Sequence, residues 1–246
     1  MLKHPTMEKL TNLGLTGMMR ALEQQNQLQD ANTLSFEDRL ALLVDAECSE
    51  RDTTQFTKRL KAAKLRDRAC IEDIDFKANR GIDKRLIAQL AEGQWLIDHR
   101  NVLITGKTGV GKTFLACALG QKACRLNRSV LYFRAPRFFQ ELTVARLKNT
   151  YQFALGRLKK SHLLILDDFA LVPITEEQCR DMLEVADDRS GNGSFIISSQ
   201  LPVKDWYQTF ANATLADAIL DRVVHGSYRL DLGGPTRRDP KHGEKE

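Results

Sequence analysis

The 246-residue chain has few of the features that mark a secreted, membrane-spanning or disulfide-bonded protein. No apolar run approaches the roughly 20 residues needed to span a bilayer. The first ten residues, MLKHPTMEKL, lack the hydrophobic stretch of a signal peptide. The five cysteines are scattered singly, which argues against a disulfide framework or a zinc site. We therefore expect a cytoplasmic protein with no membrane partner.

The remaining composition is that of a globular protein with a basic surplus. Hydrophobic residues make up 42% of the chain and charged residues 28%, and the formal net charge is +5. That surplus is only a weak indication of polyanion binding, so the location of the charges matters more than their sum.

The pattern of apolar residues in the sequence changes at about residue 95. Before it, apolar residues recur at helical spacing, as at Leu15, Met18, Met19 and Leu22, and Ser35 resembles a helix N-cap. Beyond it, short apolar runs alternate with helical segments; the runs are 101–105, 129–133, 162–166, 194–199 and 227–232. This alternation predicts an α/β fold, a parallel sheet covered on both faces. The expected divisions are a helical domain at 1–69, a connector at 70–94 and the α/β domain at 95–246.

A phosphate-binding motif follows the first predicted strand. The sequence GKTGVGKT at 106–113 satisfies G-x-x-x-x-G-K-[ST] and precedes a helical segment. Its glycines permit a loop whose backbone N–H groups face an anion. The alternative is a glycine-rich turn that matches by chance. The predicted ATP-binding residues are Gly106, Lys107, Thr108, Gly109, Val110, Gly111, Lys112, Thr113 and Phe114. Lys112 would reach the β- and γ-phosphates, and Thr113 would bind Mg²⁺.

Two carboxylates end the third apolar run. Leu163 to Leu166 lead into Asp167 and Asp168, and the carboxyl ends of parallel strands line the ligand crevice. Asp167 would face Mg²⁺ through water, and Asp168 would orient and deprotonate the attacking water. The alternative is that both residues merely cap the strand or the following loop.

The motifs together resemble a known family. GKTGVGKTFLACALG, LLILDDF, FIISSQLP and LADAILDRVVHGSYRLDLGG are similar to the IstB-like ATPases of bacterial insertion sequences, relatives of the DnaC helicase loader within the AAA+ class. LGLTGMMRALEQQ and LLVDAECSERDTTQFTKRLKAAKL resemble that family's N-terminal helical region. The resemblance covers nearly the whole chain and implies a P-loop AAA+ ATPase domain that uses ATP and Mg²⁺.

The resemblance also implies roles for residues outside the two motifs. Ser199 or Gln200 would be the sensor of the γ-phosphate, unless both are simply a polar strand end. Arg222 would be the arginine finger that reaches a neighbouring subunit's ATP, unless it forms a salt bridge with Asp217, Asp221 or a nearby acid. The chain stops soon after Arg237 and Arg238, so we expect no C-terminal helical lid domain, and the role of these two arginines stays open.

Basic segments are the candidates for DNA contact. The predicted contacts are Lys58, Arg59, Lys61 and Lys64 in a segment expected to be helical from Arg51 to Arg68, and Arg134, Arg137 and Arg146 after the second strand. Such residues give salt-sensitive binding with little sequence preference. The alternative is that they form ordinary solvated helix faces.

The expected function is an ATP-dependent, DNA-binding ATPase that assembles as an AAA+ oligomer on duplex DNA and assists a transposase. The helical domain at 1–69 would contact the transposase or DNA. Two alternatives stay open. One is a replicative helicase loader of the DnaC kind, and the other is a scaffold in which ATP only holds an oligomer together without hydrolysis.

Overall fold

The computed structural model describes residues 5–27, 34–76 and 81–236. The chain forms two compact units, residues 1–58 and 59–246. Within the described ranges, no helix has both the length and the apolar character that crossing a membrane requires.

Three helices build the first unit, and the third continues past its boundary. They are α1 (Pro5–Asn12), α2 (Thr16–Gln27) and α3 (Phe36–Ala63). Ser35 accepts a hydrogen bond from the Asp38 amide at 3.1 Å, which confirms it as the N-cap of α3. α2 and α3 approach closely at Gly17, where a Cβ would lie 2.5 Å from the Ala46 carbonyl oxygen. The buried carboxylate of Glu47 accepts the Gly17 amide at 2.8 Å.

The helix expected to run to Arg68 ends earlier, so that prediction is wrong for residues 64–68. α3 ends at Ala63, and Lys64 has a φ of 53°, which lies in the left-handed region and breaks the helical path. The same helix begins at Phe36, so the N-cap at Ser35 and the segment that starts at Arg51 belong to one continuous helix of 28 residues.

The second unit is built on a five-stranded parallel sheet. The strands are β1 (Val102–Gly106), β2 (Val130–Arg134), β3 (Leu163–Phe169), β4 (Ser194–Ser199) and β5 (Tyr228–Leu232), in the order β2-β3-β4-β1-β5. All neighbouring strands run parallel. The central strands are buried almost throughout, as expected for a sheet covered on both faces. The five predicted strands are confirmed.

Helices cover this sheet and supply its core. They are α4 (Lys84–Glu92), α5 (Gln94–Ile97), α6 (Lys112–Arg125), α7 (Ala135–Leu147), α8 (Tyr151–Lys160), α9 (Glu176–Arg189) and α10 (Ala213–Val224), with short 3₁₀ turns at Ile71–Asp73 and Val203–Thr209. Phe138 and Phe139 of α7 are 1% and 4% exposed and pack in the main core cluster. They therefore belong to the core and are not exposed stacking platforms for bases.

A buried arginine ties the amino-terminal ends of β3 and β4. The guanidinium of Arg189 donates to the carbonyl oxygens of Leu158 at 2.7 Å, Ser161 at 2.9 Å and Ser194 at 2.6 Å. Burial lowers the pKa of Arg189 to about 10, which leaves the group charged at neutral pH. The charge is thus held by backbone dipoles, and the side chain links α8 to the starts of two central strands.

The boundary between compact units differs in position from the domain boundary read from the sequence. The structural division at residues 58 and 59 falls inside α3. The connector assigned to 70–94 contains α4 and only the first residue of the short α5 helix, while residues 77–80 lie outside the described part. The assignment of separate functions to 1–69, 70–94 and 95–246 stays a prediction.

Candidate nucleotide site

The loop between β1 and α6 has the backbone of an anion-binding loop. Gly106, Gly109 and Gly111 have φ values of 143°, 86° and 103°, which L side chains rarely adopt. A Cβ on Gly106 would overlap the backbone carbonyl oxygen of Leu232. Gly111 is the N-cap of α6 and offers no side-chain acceptor to the first N–H groups of that helix. Those groups suit a phosphate at the helix N-terminus.

The ammonium of Lys112 lies inside this loop. Lys112 is 7% exposed, and its Nζ donates to the carbonyl oxygens of Gly106 and Lys107, each at 2.8 Å. The loop therefore folds around the positively charged Lys112 side chain. Six of the nine predicted ATP-binding residues line one cavity of about 310 Å³, namely Thr108, Gly109, Gly111, Lys112, Thr113 and Phe114. Of the other three, Val110 is buried and Gly106 and Lys107 supply the carbonyls.

Asp167 is fully buried and is held by three hydroxyl groups. Its Oδ2 accepts hydrogen bonds from Thr113 Oγ1 at 2.8 Å and Tyr132 Oη at 2.7 Å, and its Oδ1 accepts one from Ser198 Oγ. Burial and the hydrogen bond to Asp167 raise the pKa of Tyr132 well above its ordinary value, so the phenol stays protonated and donates. The arrangement fixes the carboxylate beside the Thr113 hydroxyl.

A bulge in β3 turns two consecutive carboxylates toward one site. Leu166 pairs with Ile197 and Phe169 pairs with Ser199, so β3 has one more residue than β4 over this step. Asp168 lies within this step and has a φ of 56°, in the left-handed region, which redirects the strand locally. In a regular strand successive side chains point to opposite faces. Here Asp167 bonds Thr113 while Asp168 lines the same cavity.

Arg134 forms an ion pair with the carboxylate of Asp168. Its Nε and one terminal nitrogen each lie 2.9 Å from Asp168 Oδ2. The Arg134 side chain is 47% exposed and that of Asp168 is 18% exposed, so solvent reaches the arginine more easily than its partner. As a result, the carboxylate expected to accept a proton from water already has a cationic partner in this structure.

Of the two predicted sensor residues, one borders the cavity. Gln200 lines it, and its Oε1 accepts a hydrogen bond from Thr108 at 2.8 Å. Ser199 is fully buried and donates to the Phe169 carbonyl at 2.8 Å, so it fixes β4 against β3. The neighbouring Ser198, which the sequence motifs did not single out, contacts Asp167 directly. The sensor assignment stays a prediction.

Arg222 lies on α10 and forms an ion pair with Asp187 of α9; its guanidinium also donates to the Ala218 carbonyl at 2.8 Å. The sequence left a salt bridge with a nearby acid open, and the partner is neither Asp217 nor Asp221. Arg222 is absent from the lining of the phosphate cavity of its own chain. A finger that serves a neighbouring subunit would not line that cavity, so this role also stays a prediction.

Three of the seven predicted DNA contacts bind partners within the protein. Arg59 donates to the Cys124 carbonyl at 3.1 Å, Arg134 pairs with Asp168, and Arg146 pairs with the buried Asp181. The other four, Lys58, Lys61, Lys64 and Arg137, are exposed. Arg237 and Arg238 lie outside the described residues, whereas Thr236 approaches Gly109 so closely that a Cβ there would overlap its hydroxyl.

The cavity fits a magnesium-bound nucleoside triphosphate. The N-terminus of α6 borders it with the buried Lys112 and the hydroxyl-bearing Thr113, and the carboxylate of Asp167 lies at hydrogen-bond distance behind Thr113. Mg²⁺ takes oxygen ligands, and it often needs only one or two from the protein when phosphates and water complete its shell. Three residues that the motifs missed complete the site: Arg66 lines the cavity, and Tyr132 and Ser198 hold Asp167.

Comparison with known proteins decides the family. The model of the family described as IstB-like ATP binding protein matches residues 8–244. The chain belongs to the IstB-like family. A Sinorhizobium fredii protein named as an insertion sequence ATP-binding protein is 46% identical to this IstB-like chain over 238 residues, which are 97% of each chain. The resemblance read from the motifs is thereby confirmed.

Solved structures place the IstB-like chain in the AAA+ P-loop class. The crystal structure of DnaI has a TM-score of 0.57 and 25% identity, and the match covers 70% of this chain and 91% of that one. The crystal structure of the DnaC helicase loader has a TM-score of 0.54 at 16% identity, with coverage of 67% and 97%. The second likeness concerns the fold alone. The expected AAA+ architecture is confirmed.

Proposed function

We propose that this IstB-like protein is a Mg·ATP-dependent ATPase that assembles on duplex DNA and assists a transposase. The observation that carries the catalytic part is the position of Thr113 and Asp168 on the cavity bordered by Lys112, with Asp167 bound directly to the Thr113 hydroxyl. The transposition part rests on the family, whose members are named as insertion sequence ATP-binding proteins.

The proposed division of labour follows from the geometry. Lys112 would neutralise phosphate charge, Thr113 and Asp167 would hold Mg²⁺, and Asp168 would position water and accept its proton. Mg²⁺, when bound, would supply positive charge beside the β- and γ-phosphate oxygens. Arg222 would reach the ATP of a neighbouring subunit, so that hydrolysis depends on assembly.

The ion pair between Arg134 and Asp168 bears on the rate of hydrolysis. Oδ2 of Asp168 already accepts from two nitrogens of Arg134 at 2.9 Å, so while this ion pair holds, that oxygen is engaged and less able to orient the attacking water. We therefore expect slow turnover until Arg134 moves away. DNA phosphate is a suitable competitor for Arg134, because a guanidinium binds phosphate and carboxylate with the same fork of donors.

The exposed lysines at the end of α3 are the proposed DNA contacts. Lys58 and Lys61 lie one helical turn apart on α3, and Lys64 follows directly after its end. Removing a phosphate contact reduces the slope of log affinity against log salt by about 0.9 for duplex DNA. The double variant Lys58→Gln/Lys61→Gln should therefore flatten that slope by about 1–2 in the presence of a non-hydrolysable ATP analogue.

A matched control removes the same charge elsewhere. Lys9→Gln/Lys204→Gln changes the net charge equally at two exposed positions outside the proposed surface. Equal slopes for the two double variants would contradict the DNA assignment. Imaging with duplex DNA tests assembly: particles that coat DNA with the analogue, and are missing without it, support the proposal.

A helicase loader is the second candidate, because the DnaC helicase loader shares the fold of this chain. Binding to duplex DNA in the absence of any helicase favours transposition, whereas dependence on a helicase and single strands favours loading. Phosphate release measured with duplex DNA separates both from a non-hydrolysing scaffold. Turnover that Asp168→Asn abolishes, with assembly retained, supports an ATPase, and no turnover under any condition supports the scaffold.

A further inference from the structure

The segment after α3 is anchored on the helix that begins the phosphate site. Leu65 packs against Gly120 of α6, where a Cβ would lie 3.1 Å from a Leu65 methyl group. Ala69 is 1% exposed and packs with Cys117 and Ala118 of the same helix. The backbone around Arg66 is therefore held at a fixed place beside α6, whose first residues are Lys112 and Thr113.

The side chain of Arg66 faces the phosphate cavity. It lines the cavity together with Lys112, Thr113 and Asp168. Its guanidinium lies beside the side chain of Tyr132, whose hydroxyl donates to Asp167. Burial tends to lower the pKa of Arg66, but Tyr132, Asp167 and Asp168 outweigh it, so the pKa lies above its ordinary value. Arg66 thus sits on the acidic side of the cavity.

That position is where a third phosphate would lie. A nucleotide bound by the loop at 106–113 directs its terminal phosphate toward the residues proposed to hold Mg²⁺ and to activate water. A guanidinium forms stronger hydrogen bonds with a charged phosphate oxygen than with a neutral phenol. ADP lacks the γ-phosphate and would leave the contact between Arg66 and Tyr132 in place.

We infer that Arg66 discriminates ATP from ADP within its own subunit by exchanging its contact with Tyr132 for an oxygen of the γ-phosphate. The inference rests on the ATP binding of the proposed function and adds a residue that no motif marks. Arg66 belongs to the segment 64–69, which follows α3 directly, so the exchange of partners would change the surroundings of that segment's backbone. The competing explanation is that Arg66 only balances the charge of Asp167 and Asp168.

The test compares the two nucleotides in one variant. Arg66→Gln should weaken binding of a non-hydrolysable ATP analogue with Mg²⁺ by about tenfold to a hundredfold, the loss expected for one charge-assisted hydrogen bond. Binding of ADP should change by less than about threefold. Arg68→Gln is the matched control, because Arg68 is an exposed arginine two residues away that does not line the cavity. Titration calorimetry measures all the affinities.

The outcomes separate this inference from the proposed function. If the unaltered chain fails to bind the ATP analogue, the proposed function itself fails. If it binds and Arg66→Gln weakens both nucleotides equally, or neither, or if Arg68→Gln has the same effect, only the role of Arg66 is refuted. Should Arg66→Gln fail to fold, amide exchange in the unaltered chain decides. Slower exchange at 64–69 with the analogue than with ADP supports the inference, and equal exchange overturns it.

Discussion

Replacing Tyr132 with phenylalanine removes one of the three hydroxyl groups that hold Asp167 and leaves the ring in place. The lost bond is 2.7 Å long and has a fully buried carboxylate as its acceptor. A hydrogen bond to a charged group contributes about 1.5–3 kcal/mol. Because phenylalanine opens no cavity, we expect the free energy of unfolding to fall by about that amount when no nucleotide is present.

Tryptophan fluorescence during urea unfolding measures this loss of stability in the compact unit that contains Tyr132. The chain has two tryptophans, Trp95 and Trp206, and both are buried in the unit that contains the sheet. Their signal therefore follows that unit. The midpoint should move to lower urea at an unchanged slope, because the surface exposed on unfolding stays the same.

Nucleotide binding gives a second measurement of the same variant. If Asp167 holds Mg²⁺, a carboxylate with one fewer partner should bind Mg·ATP about tenfold more weakly, which corresponds to about 1.4 kcal/mol. Binding of ATP in the presence of a chelator should not be weakened, because the loop at 106–113 makes its contacts without Tyr132 and Arg66 would give up its own contact with Tyr132 when ATP binds.

Tyr151 provides a matched control. Its hydroxyl donates at 2.7 Å to Asp181, another fully buried carboxylate, and neither residue lines the phosphate cavity. Tyr151→Phe should lose a similar amount of stability and leave Mg·ATP binding unchanged. A loss below about 0.5 kcal/mol for Tyr132→Phe would refute the energetic reasoning. Unchanged Mg·ATP affinity in that variant would refute the link between Tyr132 and the metal.

Further predictions concern the buried arginine, the loop and the pH dependence. Arg189→Met should reduce the free energy of unfolding by about 3–5 kcal/mol, because several buried carbonyls lose their donor. The control Arg180→Met removes an exposed ion pair and should reduce it by less than about 0.5 kcal/mol. Similar urea midpoints for the two variants would refute this prediction. Gly106→Ala should weaken ATP binding more than about tenfold in calorimetry, because the added Cβ would overlap the backbone of Leu232. The control Gly156→Ala places its Cβ in open space and should bind ATP with unchanged affinity. Unchanged affinity in both variants would contradict the prediction. Burial lowers the pKa of His162 below its ordinary 6.5, so its contribution to stability is present above that pH and is lost as the pH falls through the lower value. Urea unfolding at several pH values should show a smaller loss in acid for the His162→Gln variant, and identical pH profiles would contradict the assignment.

The fold and the centre of the site were predictable because both depend on local patterns. The five strands follow from short apolar runs, and the loop at 106–113 follows from glycines at fixed spacing before a helix. In each case the residues that form the pattern are neighbours in the chain, so the pattern alone predicts the local structure.

Contacts between distant parts of the chain were not predictable in the same way. Ser198 meets Asp167 only because β4 pairs with β3, and Arg66 reaches the cavity only because the segment after α3 packs on α6. The end of α3 was predicted too late because the basic run continues to Arg68, and charge alone does not reveal the left-handed turn at Lys64. The bulge at Asp168 likewise depends on a shift in the pairing of β3 with β4, which the sequence around Asp168 does not predict.

The linkage of β3 and β4 at both extremities limits where movement can occur. Arg189 binds backbone near the first residues of the two strands, and Ser198 and Ser199 join them near their last. Sliding one strand along the other would break both sets of bonds at once. The pair is therefore a fixed frame of reference, against which any displacement of the neighbouring loops and side chains on exchange of ATP for ADP can be measured.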